Sequence, residues 1–119
     1  LVLAEDTAAV RRQLEILLSG DFEVVGVAED GVVLLELARA LSPDALVVDI
    51  AMPRLNGLEA VGQLRASGDN TPVVFVSVHT EPTLIAQATG LGRCGYVVKE
   101  RAAEELGDAI RALTPPLRT

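Results

Sequence analysis

Short apolar runs alternate with amphipathic segments along the whole chain. The runs read as five strands, at residues 1–4, 22–28, 45–49, 72–77 and 95–98. The segments between them repeat apolar residues at intervals of three or four, the spacing of a helix with one buried face. Five strands that alternate with five helices predict an α/β domain, with a parallel sheet covered by helices on both faces.

The helix pattern is clearest in the first two amphipathic segments. Thr7 and Asp30 stand where side-chain caps are expected to start these helices. The apolar spacing predicts that the first helix buries Val10, Leu14, Leu17 and Leu18, and that the second buries Leu34, Leu37, Ala38 and Leu41. Later helices are predicted at 57–66, 81–91 and 101–113.

Four of the predicted strands end in polar residues. They are Glu5 and Asp6 after the first strand, Asp49 in the third, Ser77 in the fourth and Lys99 after the fifth. With right-handed crossovers and strand order 2-1-3-4-5, a flavodoxin-like doubly wound sheet, all of these residues would meet at one rim. A single Ser or Lys after a strand is commonly just solvated, but three carboxylates, a hydroxyl and an ammonium together indicate a site.

The composition excludes some classes of protein and of binding partner. The 119 residues carry 10 basic and 17 acidic side chains, a net charge of −7, which argues against direct nucleic-acid binding by this chain. The lone Cys94 excludes an internal disulfide, fits a reducing cytoplasm and is expected to be a packing residue. No apolar stretch approaches the ~20 residues of a membrane span.

The residue types at the rim suit phosphoryl chemistry. Clustered carboxylates repel one another, and Mg²⁺, which takes oxygen ligands and often shares them with phosphate, would relieve that repulsion. A carboxylate can also attack phosphorus to give an aspartyl phosphate. Asp49 is the candidate acceptor, while Lys99 and Ser77 would contact the incoming phosphoryl oxygens.

Other chemistries fit less well. The chain has no P-loop and no G-x-G-x-x-G after its first strand. His79 is the only histidine, which excludes histidine-based metal clusters, and a loop histidine of this kind is more often solvated than an acid–base. A haloacid-dehalogenase-type phosphatase would need a second Asp at Ala51.

These motifs resemble the receiver domain of bacterial two-component response regulators. The resemblance rests on Glu5-Asp6, the run VVDIAMPRLNG at 47–57, Ser77, and GYVVK at 95–99. Details such as Lys99-Glu100 and FEVVG at 22–26 are similar to the NarL/FixJ-type subfamily. The resemblance runs from end to end and implies the CheY-like fold, with residues 1–113 as the receiver and 114–119 as the start of a linker.

The resemblance also implies roles for individual residues. Asp49 would accept phosphate from a sensor histidine kinase, and Mg²⁺ would be held by Asp6, Asp49 and the backbone carbonyl of Ala51, with Glu5 binding directly or through water. Ser77 and Lys99 would hold the phosphoryl oxygens. Such a domain catalyses only its own phosphorylation and dephosphorylation, and is otherwise no enzyme.

The family's switch would follow from that modification. Ser77 would move toward the phosphoryl group and Tyr96 would follow it inward, remodelling the face of the fourth helix and fifth strand. Positions 51 and 79, here Ala51 and His79, are where family members tune the lifetime of the phosphate.

Output and assembly are implied only by the subfamily. Its members usually carry a C-terminal DNA-binding domain, which these 119 residues do not encode, and a phosphorylation-dependent homodimer is possible. Three readings stay open: a phosphorylated switch, either alone or joined to an output domain; a pseudo-receiver that only binds proteins; and a metal-dependent phosphatase. Glu5, in place of the more usual Asp, and Glu100, in place of Pro, depart from the commonest pattern.

Overall fold

A computed structural model describes residues 1–114 of the chain, in which five strands alternate with five α-helices. The strands are β1 (Val2–Ala4), β2 (Gly26–Ala28), β3 (Leu46–Asp49), β4 (Val73–Ser77) and β5 (Cys94–Val98). The helices are α1 (Ala8–Ser19), α2 (Gly31–Leu41), α3 (Gly57–Ala66), α4 (Pro82–Thr89) and α5 (Ala102–Leu113), and a single 3₁₀ turn (Lys99–Arg101) precedes α5. The proposed linker lies, apart from Thr114, outside the described residues.

The sheet is parallel throughout and has the order β2-β1-β3-β4-β5. The predicted fold class and strand order are therefore confirmed. In this topology the chain reverses its winding direction between β1 and β3, and the carboxyl ends of these strands are where ligands bind in open α/β sheets.

Alternation along the strands divides the core into two layers. Leu3, Val47 and Val74 point to the side covered by α1 and α5. Their neighbours Val2 and Val48 point to the side covered by α2, α3 and α4. Because both faces are buried, the strands have to be apolar at every position, which explains the continuous runs in the sequence.

The helix starts differ in how they are capped. Asp30 accepts hydrogen bonds from the backbone N–H groups of Val32 and Val33, both at 2.9 Å, as predicted. Asn56 starts α3 with a capping box in which Glu59 returns the hydrogen bond. Thr7 occupies the predicted N-cap position of α1. The predicted side-chain cap was wrong, because the Thr7 side chain makes no capping hydrogen bond.

Two predicted core leucines are exposed. Leu17 is 37% exposed and Leu41 44%, whereas Leu14, Leu18 and Leu34 are buried. Leu17 is exposed because the buried face of α1 is narrower than the apolar pattern predicted. Leu41 lies at the end of α2, over the edge strand β2. An edge strand has a neighbour on one side only, so less of the molecule is there to cover that leucine.

The second strand is shorter than the apolar pattern predicted. It covers Gly26–Ala28, whereas the prediction began at Phe22. Its only partner, β1, has three residues, and these pair with residues 26–28. Phe22 instead packs its ring under the guanidinium of Arg111, 5.3 Å from the ring centroid. Within residues 1–114, no helix is both long and apolar enough to cross a membrane.

Asp30 gives the fold a measurable pH dependence. The N–H of Val33 and the guanidinium of Arg54 hold the pKa of the Asp30 carboxyl below its usual range. A lowered folded-state pKa means that stability is present above the unfolded pKa of about 4 and is lost as the pH falls through the folded value. We expect the difference in unfolding free energy between the wild type and Asp30→Asn to be constant from pH 6 to 7 and to shrink below about pH 4. Urea titrations across this range measure it, and a difference that grows toward acid would contradict the assignment.

Candidate functional site

The four polar strand ends meet at the carboxyl edge of the sheet, as the sequence predicted. Glu5 directly follows β1, Asp49 ends β3, Ser77 ends β4 and Lys99 follows β5. Asp49 is in register with Val76 on β4, so that Ser77 extends one residue beyond it. The parallel register therefore places these chain-distant side chains at one rim.

The acidic residues at the rim form a cluster. One carboxylate oxygen from each of Glu5, Asp6 and Asp49 lies within 4.8 Å of the other two. Glu5 and Asp49 are buried, at 0% and 5% exposure, while Asp6 faces solvent. The cluster is thus buried on the protein side and open on one side.

Glu5 is held rigidly at the base of the cluster. Its Oε1 accepts the backbone N–H of Thr7 at 3.3 Å, and Arg11 donates to its backbone carbonyl at 3.0 Å. Burial raises the pKa of the Glu5 carboxyl, and the negative charge of Asp49 raises it further. The fold therefore holds the Glu5 carboxyl within 4.8 Å of the Asp49 carboxylate, where the ionised form of Glu5 is disfavoured.

Lys99 is the cation that faces them. Its Nζ lies 3.3 Å from Asp49 Oδ2, to which it donates a hydrogen bond, and 3.0 Å from Glu5 Oε2. Burial alone would lower the pKa of Lys99, but the contacts with Glu5 and Asp49 outweigh it and raise the pKa. The ammonium is therefore charged and ties β5 to β1 and β3.

The loop after β4 connects Ser77 to Tyr96. The buried Ser77 Oγ accepts the backbone N–H of His79 at 3.1 Å, and the carbonyl of His79 accepts the Tyr96 hydroxyl at 2.9 Å. Tyr96 is half-buried and packs against the hydrophobic core. The imidazole of His79 takes no part in these bonds, and its Nδ1 lies 3.3 Å from Glu81 Oε2.

The loop after β3 is closed at its base. The N–H of Gly57 donates to the carbonyl of Ile50 at 2.8 Å, and the N–H of Ala51 reaches Asp49 Oδ1 at 3.4 Å. A Cβ on Gly57 would lie 2.4 Å from the Asp49 carbonyl oxygen, so only glycine fits at the start of α3. The loop therefore runs directly against the end of the strand that carries Asp49.

A divalent cation fits the donors of this rim. Glu5 Oε2 is buried, and its one close polar contact among the described residues is the Lys99 ammonium at 3.0 Å. Three carboxylates face a single ammonium, which leaves uncompensated negative charge in a partly buried site. Oxygen donors of this kind suit Mg²⁺, and the cluster could hold one ion through Asp6, Asp49 and Glu5.

Comparison with known proteins decides the family. The family model described as "Response regulator receiver domain" matches residues 1–111. The chain belongs to the response regulator receiver domain family. The resemblance found in the sequence motifs is thereby confirmed.

Individual relatives agree with this assignment. The chain is 39% identical over 113 residues to the response regulator MprA of Mycobacterium leprae, and 32% identical over 108 residues to the transcriptional regulatory protein YdfI of Bacillus subtilis. These alignments cover 95% and 89% of this chain. They cover 50% of each relative, so the chain spans about half the length of these curated proteins.

Solved structures show the same fold. The receiver domain of NarL from Mycobacterium tuberculosis superposes with a TM-score of 0.86 at 32% identity, covering 93% of this chain and 91% of that one. The response regulator domain of Thermotoga maritima CheB superposes with a TM-score of 0.87 at 30% identity, covering 97% and 96%.

Some contacts that hold the rim and its neighbouring loop were missed in the sequence. Thr7 was considered only as a helix cap, but its backbone N–H orients Glu5. Asp30 was identified as a cap, but its pairing with Arg54 was not, since 24 residues separate the two and no short motif joins them.

Cys94 fits its expected packing role, because burial raises the pKa of the thiol and its Sγ donates to the carbonyl of Gly92.

Proposed function

We propose that this receiver domain is a switch that accepts a phosphoryl group on Asp49. The observation that carries the proposal is the convergence of Glu5, Asp6 and Lys99 on the Asp49 carboxylate. The phosphodonor would be a histidine of a sensor kinase, the partner typical of the family. Apart from its own phosphorylation and dephosphorylation, the domain would catalyse no reaction.

Each residue would have a separate part in the transfer. An oxygen of Asp49 attacks phosphorus, the bond from phosphorus to the donor breaks, and the donor leaves with its electron pair. Mg²⁺ bound by Glu5, Asp6, Asp49 and the carbonyl of Ala51 would supply charge neutralisation. Lys99 would pair with a phosphoryl oxygen, since its Nζ already contacts Asp49.

The signal would leave the site through Ser77. Its hydroxyl now accepts a hydrogen bond from the loop at His79, and the same loop residue accepts the Tyr96 hydroxyl. If Ser77 turns to donate to a phosphoryl oxygen, the loop and Tyr96 have to adjust with it. The face formed by α4 and β5 would then differ between the two states, which is what an output partner can recognise.

The output is proposed to be transcription. Relatives of about twice this length include one named a transcriptional regulatory protein, and a solved relative at 28% identity is a DNA-binding response regulator of the LuxR family from Staphylococcus aureus. DNA contact would belong to a further C-terminal domain, joined through residues 114–119, and activation could act through a homodimer. A cytoplasmic location would follow from partnership with a kinase and DNA.

The proposal is tested with a small phosphodonor. We expect incubation with acetyl phosphate and Mg²⁺ to add the mass of one phosphoryl group, detected by intact-mass spectrometry, and EDTA to prevent it. No gain with Mg²⁺ present would indicate a pseudo-receiver. Sustained hydrolysis of an unrelated phosphate ester, without a labelled protein, would indicate a phosphatase.

The His79 side chain is predicted to affect the lifetime of the phosphate. The hydrogen bonds to Ser77 and Tyr96 use the His79 backbone, so His79→Ala keeps both and removes only the imidazole. We expect the rate of dephosphorylation to change severalfold while the rate of labelling stays the same, because the imidazole would shield the phosphoryl group or orient water. Decay of the phosphorylated mass after removal of donor measures it. Equal decay in both proteins would exclude the role.

A further inference from the structure

The loop after β3, residues 50–56, is tied to a part of the chain that takes no part in the rim. Arg54 donates from Nε to Asp30 Oδ2 at 2.9 Å, and its Nη2 lies 2.7 Å from the same oxygen. Beside this pair, the N–H of Gly31 donates to the carbonyl of Leu55 at 3.0 Å. The N-terminus of α2 therefore holds the distal part of the loop.

Two residues at the start of α2, Asp30 and Gly31, contribute to this contact. Asp30 uses its two oxygens separately, since Oδ1 caps α2 and Oδ2 receives the guanidinium. The packing is so close that a Cβ on Gly31 would lie 2.1 Å from the Leu55 carbonyl oxygen. Glycine at position 31 therefore lets the loop lie directly against the first residue of α2.

Arg54 itself has a conformation that needs support. Its φ of 64° lies in the left-handed region, which residues other than glycine rarely adopt. Such a backbone persists only where surrounding contacts fix it. The contacts available here are the ion pair with Asp30 and the tight turn in which the Leu55 N–H donates to the Pro53 carbonyl at 2.7 Å.

We propose that the Asp30–Arg54 ion pair is a positioning device that sets the affinity of the rim for Mg²⁺. The inference rests on the proposed function, in which the Ala51 carbonyl is a metal ligand. Ala51 lies between the base of the loop, closed by Gly57 and Ile50, and the part held by Arg54. With both ends held, the peptide of Ala51 keeps one orientation before the ion arrives.

Two single substitutions separate this role from capping and from strain. Asp30→Asn retains an oxygen that can cap α2 but places an amide N–H₂ group opposite the guanidinium. Arg54→Asn removes the guanidinium while tolerating the left-handed backbone. Arg93→Asn is the matched control, because Arg93 is also left-handed, with a φ of 49°, donates to two carbonyls and precedes β5 at the opposite edge of the sheet.

A purely electrostatic effect and a positioning role predict different changes in the affinity for Mg²⁺. Removing the Asp30 charge would weaken binding of a cation, whereas removing the Arg54 charge would strengthen it. Positioning predicts that both variants bind Mg²⁺ more weakly, by about tenfold, the lower end of the usual effect of residues that orient metal ligands. Arg93→Asn should bind as the wild type does.

The experiment is calorimetric titration with MgCl₂ of five proteins, which are the wild type, the three single variants and the Asp30→Asn/Arg54→Asn double variant, together with hydrogen exchange of the metal-free proteins. We expect faster exchange at the Ala51 and Leu55 amides in both pair variants. The double variant should bind no more weakly than either single one, because the two residues form one contact. Urea unfolding of each variant, set against Arg93→Asn, separates loss of global stability from loss of binding.

The failures of the two proposals are distinguishable. If the wild type binds Mg²⁺ and takes up phosphate but the pair variants match it, or shift in opposite directions, the positioning role is wrong and the proposed function stands. Equal weakening in Arg93→Asn would also overturn the positioning role. A wild type that binds no Mg²⁺ and stays unlabelled would overturn the proposed function, and the positioning role with it.

Discussion

Asp49→Asn is expected to abolish phosphoryl uptake from acetyl phosphate. Asparagine has nearly the same shape, but its amide is a poor nucleophile and carries no charge to bind a cation. Asp49 ends the middle strand of the sheet, and its Oδ2 accepts a hydrogen bond from Lys99. Intact-mass spectrometry of the wild type and the variant, treated in parallel with Mg²⁺, measures the effect.

Asp44→Asn is the control for this substitution. Asp44 is an exposed acid shortly before β3, so its replacement changes the net charge equally without touching the rim. It should label at the wild-type rate, and both variants should keep the wild-type circular dichroism spectrum. Labelling of the Asp49 variant at an undiminished level would place the phosphoryl group on another residue and contradict the assignment.

Gly57→Ala is expected to destabilise the domain by about 1–3 kcal/mol, the usual cost of forcing an extra carbon into a packed interior. The added Cβ would lie 2.4 Å from the Asp49 carbonyl oxygen and 2.8 Å from Val48 Cγ1. The first of these atoms is backbone, so β3 or the start of α3 has to move. Urea denaturation monitored by circular dichroism measures the loss.

Gly62→Ala, in the same helix, should have the opposite sign. Nothing lies within 4 Å of a Cβ built there, and alanine in a helix interior is favoured over glycine by about 0.5–1 kcal/mol. A stable Gly57 variant would show that the end of β3 yields at little cost. The close packing of the loop against Asp49 would then be no constraint on the site.

The architecture could be predicted from the sequence because helices cover both faces of the sheet. Runs such as 45–48 and 72–76 are apolar at every position, which is typical of a strand buried on both sides. The amphipathic segments between them specified the helices. Glu5, Asp49, Ser77 and Lys99 each ended a predicted strand, so the parallel topology was enough to bring them to one rim.

The local predictions that failed concern the burial of two helix residues and the length of the edge strand β2. Leu17 and Leu41 have the helical spacing of core residues, but how much of a stripe is covered depends on what packs against it. The length of β2 was set by its three-residue partner β1, and not by its own apolar run beginning at Phe22. A residue pattern records a preference for burial, and neighbours from elsewhere in the chain decide whether it is met.

The sequence by itself determined the family and the polar residues at the ends of the predicted strands, because these depend on local pattern and motif. The strand order 2-1-3-4-5 was the order expected of a doubly wound sheet, and the observed pairing confirmed it. Only the tertiary structure decided how the rim is held. The contacts of Lys99 with Glu5 and Asp49 and the Asp30–Arg54 pair all join residues far apart in the chain. Distances of this kind arise when separate elements pack together, and no stretch of sequence encodes them alone.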